Sequence, residues 1–124
     1  MNIPNDLKYA KTHEWTKVSG NIAEIGITDH AQQALGDIVF ISLPSVGDTV
    51  TIGESFGEIE SVKAVSEAFS SVDGTITEIN ESLSDSPDII NSDPYGSWII
   101  KVDFTIIDDL LDANAYEEHC NKED

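Results

Sequence analysis

Apolar positions along this chain alternate with polar ones in short runs, and few runs carry a helical period. Residues 14–18 read as a short strand, closed by a turn at Ser19-Gly20-Asn21. Ile22-Ala23-Glu24-Ile25-Gly26-Ile27 reads as a second, mostly buried strand. Thr28 is placed to cap a short helix over 29–35, with Gly36 as an αL stop. Ile38-Val39-Phe40-Ile41-Ser42-Leu43 is a continuous apolar run of strand length, ended by Pro44. A short strand follows the turn at Val46-Gly47-Asp48, and two more cover 56–61 and 65–69. Asp73-Gly74 carries the signal of a hairpin turn, followed by the β-branched strand Thr75-Ile76-Thr77-Glu78-Ile79. Ser86-Pro87 opens a helical turn, and residues 98–102 form the last strand. Thr105-Ile106-Ile107-Asp108 has the spacing of a capping box, which predicts a C-terminal helix over about 106–119 with Ile107, Leu110, Leu111, Asn114 and Ala115 largely on one face. The residues after His119 are expected to fray.

Many short strands with frequent turn signals predict a mainly β fold, a sandwich or flattened barrel, with one helix in the N-terminal half and one at the C-terminus. A length of 124 residues fits a single domain over 1–124, with its β core at about 22–104. No apolar run approaches the ~20 residues of a membrane span. Met1-Asn2-Ile3-Pro4 lacks the basic start and apolar stretch of a signal peptide. The lone Cys120 fits a reducing, cytoplasmic setting.

Charge sharpens the picture. Asp and Glu number 24 against six lysines, with no arginine, for a net charge of −18. Such a surface repels nucleic acid and anionic lipid, so the expected partners are proteins with basic patches. His13, His30 and His119 lie far apart in the sequence and match no metal-ligand spacing, so no metal site is expected. No nucleophile elbow, C-x-x-C or phosphate loop occurs. Asp108-Asp109 reads as a helix start, where the macrodipole favours acids.

One lysine stands out. In Glu60-Ser61-Val62-Lys63-Ala64-Val65-Ser66-Glu67, Lys63 lies between two strands, flanked by small apolar residues and framed by acids. Pairing Val62 with Val65 would set Glu60 opposite Glu67, two like charges face to face. The arrangement suits a lysine presented on a hairpin tip and acted upon by an enzyme. On composition alone an ordinary surface lysine at a turn is the simpler reading.

Glu60-Ser61-Val62-Lys63-Ala64 resembles the attachment motif of lipoyl-bearing domains. Beyond it, the chain from about Tyr9 to Tyr116 is similar to the H proteins of glycine cleavage systems. The blocks that carry the likeness are His13-Glu14-Trp15, Gly26-Ile27-Thr28-Asp29-His30-Ala31-Gln32, Leu35-Gly36-Asp37-Ile38-Val39, Leu43-Pro44-Ser45-Val46-Gly47-Asp48, Gly74-Thr75-Ile76 and Ser86-Pro87 through Asp93-Pro94-Tyr95. One departure is local: the family usually has one or two more residues between the positions of Tyr95 and Trp98, where only Gly96-Ser97 stand here.

The resemblance implies a fold of the biotinyl/lipoyl carrier type and a non-catalytic carrier with lipoic acid in amide linkage on Lys63. It implies three successive partners: a pyridoxal-phosphate glycine decarboxylase that loads an aminomethyl group, a folate-dependent aminomethyltransferase that removes it, and dihydrolipoyl dehydrogenase. A lipoate ligase or lipoyl transferase would recognise the hairpin through Glu60, Ser61, Val62, Ala64 and Glu67. An acidic cleft is expected to shelter the loaded ammonium, with Glu14 the first candidate and Glu67 the second. The free carrier is expected to be a monomer. Competing readings are an H-like lipoyl relay to other proteins, an unmodified interaction module, and an enzyme using Lys63 as a Schiff base. The last is opposed by the neighbouring acids, which favour the charged ammonium.

Overall fold

The computed structural model describes residues 1–123. In chain order the elements are β1 (Lys8–Tyr9), β2 (Glu14–Ser19), β3 (Ile22–Ile27), α1 (Asp29–Leu35), β4 (Ile38–Ser42), β5 (Thr49–Val50), β6 (Ser55–Ser61), β7 (Val65–Phe69), β8 (Val72–Ile79), α2 (Ser82–Asp85), α3 (Ile89–Ser92), β9 (Ile100–Ile107) and α4 (Ala113–Glu123). The fold is mainly β. A six-stranded sheet runs β1-β2-β3-β9-β8-β5, and a three-stranded sheet runs β4-β6-β7, every pairing antiparallel. The two sheets share one apolar core, in which Ile25, Ile76 and Val102 from the larger meet Ile41, Ile59 and Ala68 from the smaller. A second cluster, Leu7, Tyr9, Trp15, Ala113, Tyr116 and Cys120, fixes α4 against β1 and β2. No helix among the described residues is long and apolar enough to cross a membrane.

Local chemistry accounts for the elements nearest Lys63. Thr28 accepts the Ala31 amide at 3.2 Å and starts α1, as its hydroxyl predicts. Gly36 ends the helix at φ +80°, ψ −156°. That is not the αL stop expected but a region open essentially to glycine alone.

Three sequence expectations are corrected. Asp73-Gly74 makes no hairpin turn; both residues lie inside β8 at a register shift against β9. A Cβ on Gly74 would sit 2.3 Å from the Asp103 carbonyl, so close approach of strands, rather than a turn, requires glycine there. The helical turn expected from Ser86-Pro87 falls just later, as α3, with Asp88 at its N-cap.

The third correction matters most. The segment from Thr105 continues β9 through Ile107, paired with Val72 and Asp73, so no helix begins there. β-Branched Thr105, Ile106 and Ile107 favour the strand over the helix that the cap-like spacing suggested. The C-terminal helix starts at Ala113, where Asp112 Oδ1 accepts the Ala115 amide at 2.8 Å. Its inward residues are Ala113, Tyr116 and Cys120, and it continues to Glu123 rather than fraying after His119.

Candidate attachment hairpin and acidic recess

Lys63 is exposed at the tip between β6 and β7. The Ser61 amide donates to the Ala64 carbonyl at 2.8 Å, leaving Val62 and Lys63 at the apex. Ser61 Oγ accepts from the Ala64 amide at 3.1 Å and the Lys63 amide at 3.3 Å, so one side chain organises the turn. The Val62 amide donates to the Asp37 carbonyl at 3.0 Å, tying the tip to the segment before β4. Lys63 makes no ion pair among the described residues. Its stem lies over Gly36, where an added Cβ would stand 3.4 Å from Lys63 Cε.

The hairpin register differs from the expected one. Glu60 pairs with Val65 and Glu58 with Glu67, a slide of two residues that keeps the same faces outward. The acid opposed across the strands is therefore Glu58, not Glu60. Glu60 stands instead in an exposed row between Phe40 of β4 and Val65 of β7. Phe40 is 52% exposed, Val62 67% and Val65 60%, so the hairpin and its neighbouring strand present apolar side chains to solvent near its tip. Of the predicted recognition residues, Glu60, Ser61, Val62 and Ala64 gather at this tip, with Glu67 further along β7.

Glu14 opens β2 and is buried to 1% exposure, not the solvated strand-end acid it could have been. Thr12 Oγ1 donates to Glu14 Oε1, and the Phe69 amide donates to Oε2 at 3.1 Å. Burial pushes the Glu14 carboxyl up to about 7, against those hydrogen bonds, which favour the carboxylate. The residue lines a recess of about 400 Å³ together with Tyr9, Lys11, Thr12, Phe69 and Leu111. Asp108 and Asp109 line the same recess from the loop after β9. They are not a helix start, because α4 begins later. Glu67, the second candidate for this role, is exposed and not part of the recess lining.

The three histidines, far apart along the chain, meet in space. His13 and His30 stack with ring centroids 4.4 Å apart, and His119 lies 5.7 Å from His13. Glu123 Oε2 is 2.8 Å from His13 Nε2, and Oε1 is 3.0 Å from His119 Nε2. Burial and the neighbouring imidazoles hold His13 below its ordinary range, against the pull of Glu123. The i, i+4 spacing of His119 and Glu123 is legible only once α4 is known to reach that far.

Comparison with known proteins places this geometry in context. A family model described as "Glycine cleavage H-protein" matches residues 7–123. The chain is 51% identical over 124 residues to a glycine cleavage system H protein of Herpetosiphon aurantiacus, covering 98% of this chain and 96% of that one. It is 50% identical over 123 residues to the protein of that name from Rubrobacter xylanophilus, covering 98% of each. Among solved structures, the crystal structure of a glycine cleavage system H protein from Mycobacterium marinum superposes with a TM-score of 0.92 at 40% identity, covering 96% of this chain and 99% of that one. With the fold and nearly the whole length in agreement, the chain belongs to the glycine cleavage H-protein family.

Proposed function

We propose that this chain is the lipoyl carrier of a glycine cleavage system and performs no catalysis of its own. The observation that carries the reading is Lys63 exposed at the apex of a hairpin whose turn is fixed by Ser61, in a member of this family. The residues fit the group: the amine is unshared, its stem crosses a glycine rather than a side chain, and the exposed apolar side chains near the tip offer a modifying enzyme a surface. Lys63 Nζ would hold lipoic acid in amide linkage, and the group would supply a dithiolane whose S–S bond opens to take an aminomethyl group on one sulfur, leaving after unloading a dithiol for a flavin enzyme to reoxidise. Glycine decarboxylase, aminomethyltransferase, dihydrolipoyl dehydrogenase and a lipoate ligase or lipoyl transferase are the partners this reading requires.

The chain's own residues position and protect. Glu60, between Phe40 and Val65, is the acid that a lipoylating enzyme would meet beside the amine. Phe69 lies six residues beyond Lys63, so about 20 Å of extended chain separates the attachment point from the recess. In the recess Glu14 holds a proton or a cation: a carboxyl near 7 is partly ionised at neutral pH, and an ammonium beside it favours the carboxylate. Thr12 and the Phe69 amide keep the carboxylate aimed, while Tyr9 and Leu111 form apolar wall that excludes water.

The test is a single loading reaction with lipoylated carrier, labelled glycine and the decarboxylase. Label retained on the carrier, and lost in Lys63→Arg, supports the reading. Equal labelling of Lys63→Arg would contradict it. Glu60→Gln is expected to be lipoylated more slowly with its folding unchanged, measured by intact mass against time.

A further inference from the structure

Two donor sets meet at His13. His13, His119 and Glu123 have ligand atoms within 4.8 Å of one another, and so do His13, His30 and Cys120. We propose that His13 Nε2, His119 Nε2 and a Glu123 carboxylate oxygen bind one late first-row divalent transition ion, zinc by preference, and so clamp α4 to the turn before β2.

The donor spacing fits such an ion. Tetrahedral zinc with bonds of 2.0–2.1 Å to nitrogen and oxygen sets its ligand atoms about 3.3 Å apart. Glu123 Oε2 stands 2.8 Å from His13 Nε2 and Oε1 3.0 Å from His119 Nε2, and the three residues' ligand atoms lie within 4.8 Å of one another, so rotation of these solvent-accessible side chains brings them to the spacing of one ion. Two imidazoles and a carboxylate are the donor chemistry that late divalent ions take in proteins.

The ring of His13 is held for this task from behind. His13 Nδ1 lies 2.7 Å from the Tyr116 hydroxyl, which lies 2.6 Å from Thr28 Oγ1. Thr28 Oγ1 accepts the Ala31 amide, and the contacts allow a chain in which His13 Nδ1–H donates to the Tyr116 hydroxyl and that hydroxyl donates to Thr28. That tautomer turns the Nε2 lone pair toward a carboxylate oxygen. Two acceptors 2.8 Å apart repel unless a proton or a metal ion lies between them. An outer partner fixing one imidazole nitrogen while the other binds metal is the usual arrangement at histidine sites.

A further imidazole stands in reserve. His30 stacks on His13, and its Nδ1 is buried without a hydrogen-bond partner among the described residues. An orphaned buried nitrogen on the ring stacked against His13 marks a place where a ligand atom is wanted. His119 Nε2 also meets the Lys11 carbonyl at 2.9 Å, a bond that ligation replaces. The outer set is favoured over the inner one because His119 and Glu123 open to solvent, whereas Cys120 is 1% exposed.

The experiment uses full-length, untagged Lys63→Arg protein stripped of metal, so that no lipoyl dithiol competes for the ion. Zinc chloride is titrated against a chromophoric chelator, with circular dichroism confirming that each variant is folded. The expected result is one ion per chain with micromolar or tighter affinity. His119→Ala and Glu123→Gln should each weaken it by at least about tenfold, and Tyr116→Phe, which removes only the positioning hydroxyl, by about 10–100-fold. Zinc should raise the thermal midpoint of the Lys63→Arg protein and leave that of its His119→Ala derivative unmoved. Equal binding by His119→Ala and Glu123→Gln would overturn the proposal. So would displacement of zinc by equimolar magnesium, the mark of a diffuse acidic surface, or loss of binding on Cys120→Ser alone.

Discussion

Glu14 shows how one residue's surroundings set its behaviour. Its carboxyl is pushed up by burial to about 7 in the folded protein, against an ordinary value of 4.5. Between those two values the unfolded chain has lost a proton that the folded chain keeps, so stability falls as pH rises from about 4.5 to about 7 and is level above. The total loss is about 3 kcal/mol. Glu14→Gln is expected to remove that slope, so its gain over the parent grows across this window. Urea unfolding at pH 5 and pH 8 reads it, and an equal slope in both proteins would count against the buried acid. The same variant should release a loaded aminomethyl group faster, because no carboxylate remains to face the ammonium. Gly36 is a second residue whose environment decides. Its backbone at φ +80°, ψ −156° is closed to side chains, so Gly36→Ala should cost about 1–3 kcal/mol, read as a drop in the urea midpoint.

The hairpin and α4 are the elements where sequence and structure part. The strand over Ile22–Ile27, the Thr28 cap and α1 over Asp29–Leu35 were legible because each rests on local chemistry: β-branched packing, one hydroxyl, one glycine. The hairpin register was not, because it depends on which residues close the turn. The expected pairing made Lys63 and Ala64 the apex, but Ser61 at the first turn position captures the Ala64 amide and moves the apex to Val62-Lys63. No residue at the tip has positive φ, so the primed hairpin turns that a two-residue loop would favour do not occur there. Ser61→Ala should loosen the tip, slow lipoylation, and lower global stability by no more than about 1 kcal/mol, since the turn is exposed. Unchanged lipoylation kinetics would contradict the role given to Ser61. For α4, the competing signals were cap spacing at Thr105 and β-branching over the same residues. The strand won because β8 offers it a partner along its whole length. The true cap is Asp112, and Asp112→Ala should cost about 1 kcal/mol.

At the scale of the molecule, the fold class and the presented lysine were readable and a cleft at Glu14 was expected from the family resemblance, whereas the other walls of the recess and the histidine cluster were not. A long-range site is invisible when its parts share no local pattern. Glu14 meets Phe69 from 55 residues away, and His13 meets Glu123 from 110. Net charge acts at this scale as well. With −18 spread over a small surface, docking to partner enzymes should be steered by charge. Association rates with the decarboxylase are expected to fall several-fold as ionic strength rises, while the stability of the carrier alone holds or improves as its self-repulsion is screened. Rates indifferent to salt would assign docking to the exposed apolar side chains near the hairpin tip instead.

What Lys63 carries decides whether this protein is a carrier. Protein taken from the native host and measured by intact mass and by sequencing of its Lys63 peptide tests this most directly. A single lipoyl increment located on Lys63 is the predicted result. A biotin increment, or an unmodified lysine in cells with an active lipoylation pathway, would contradict the carrier reading.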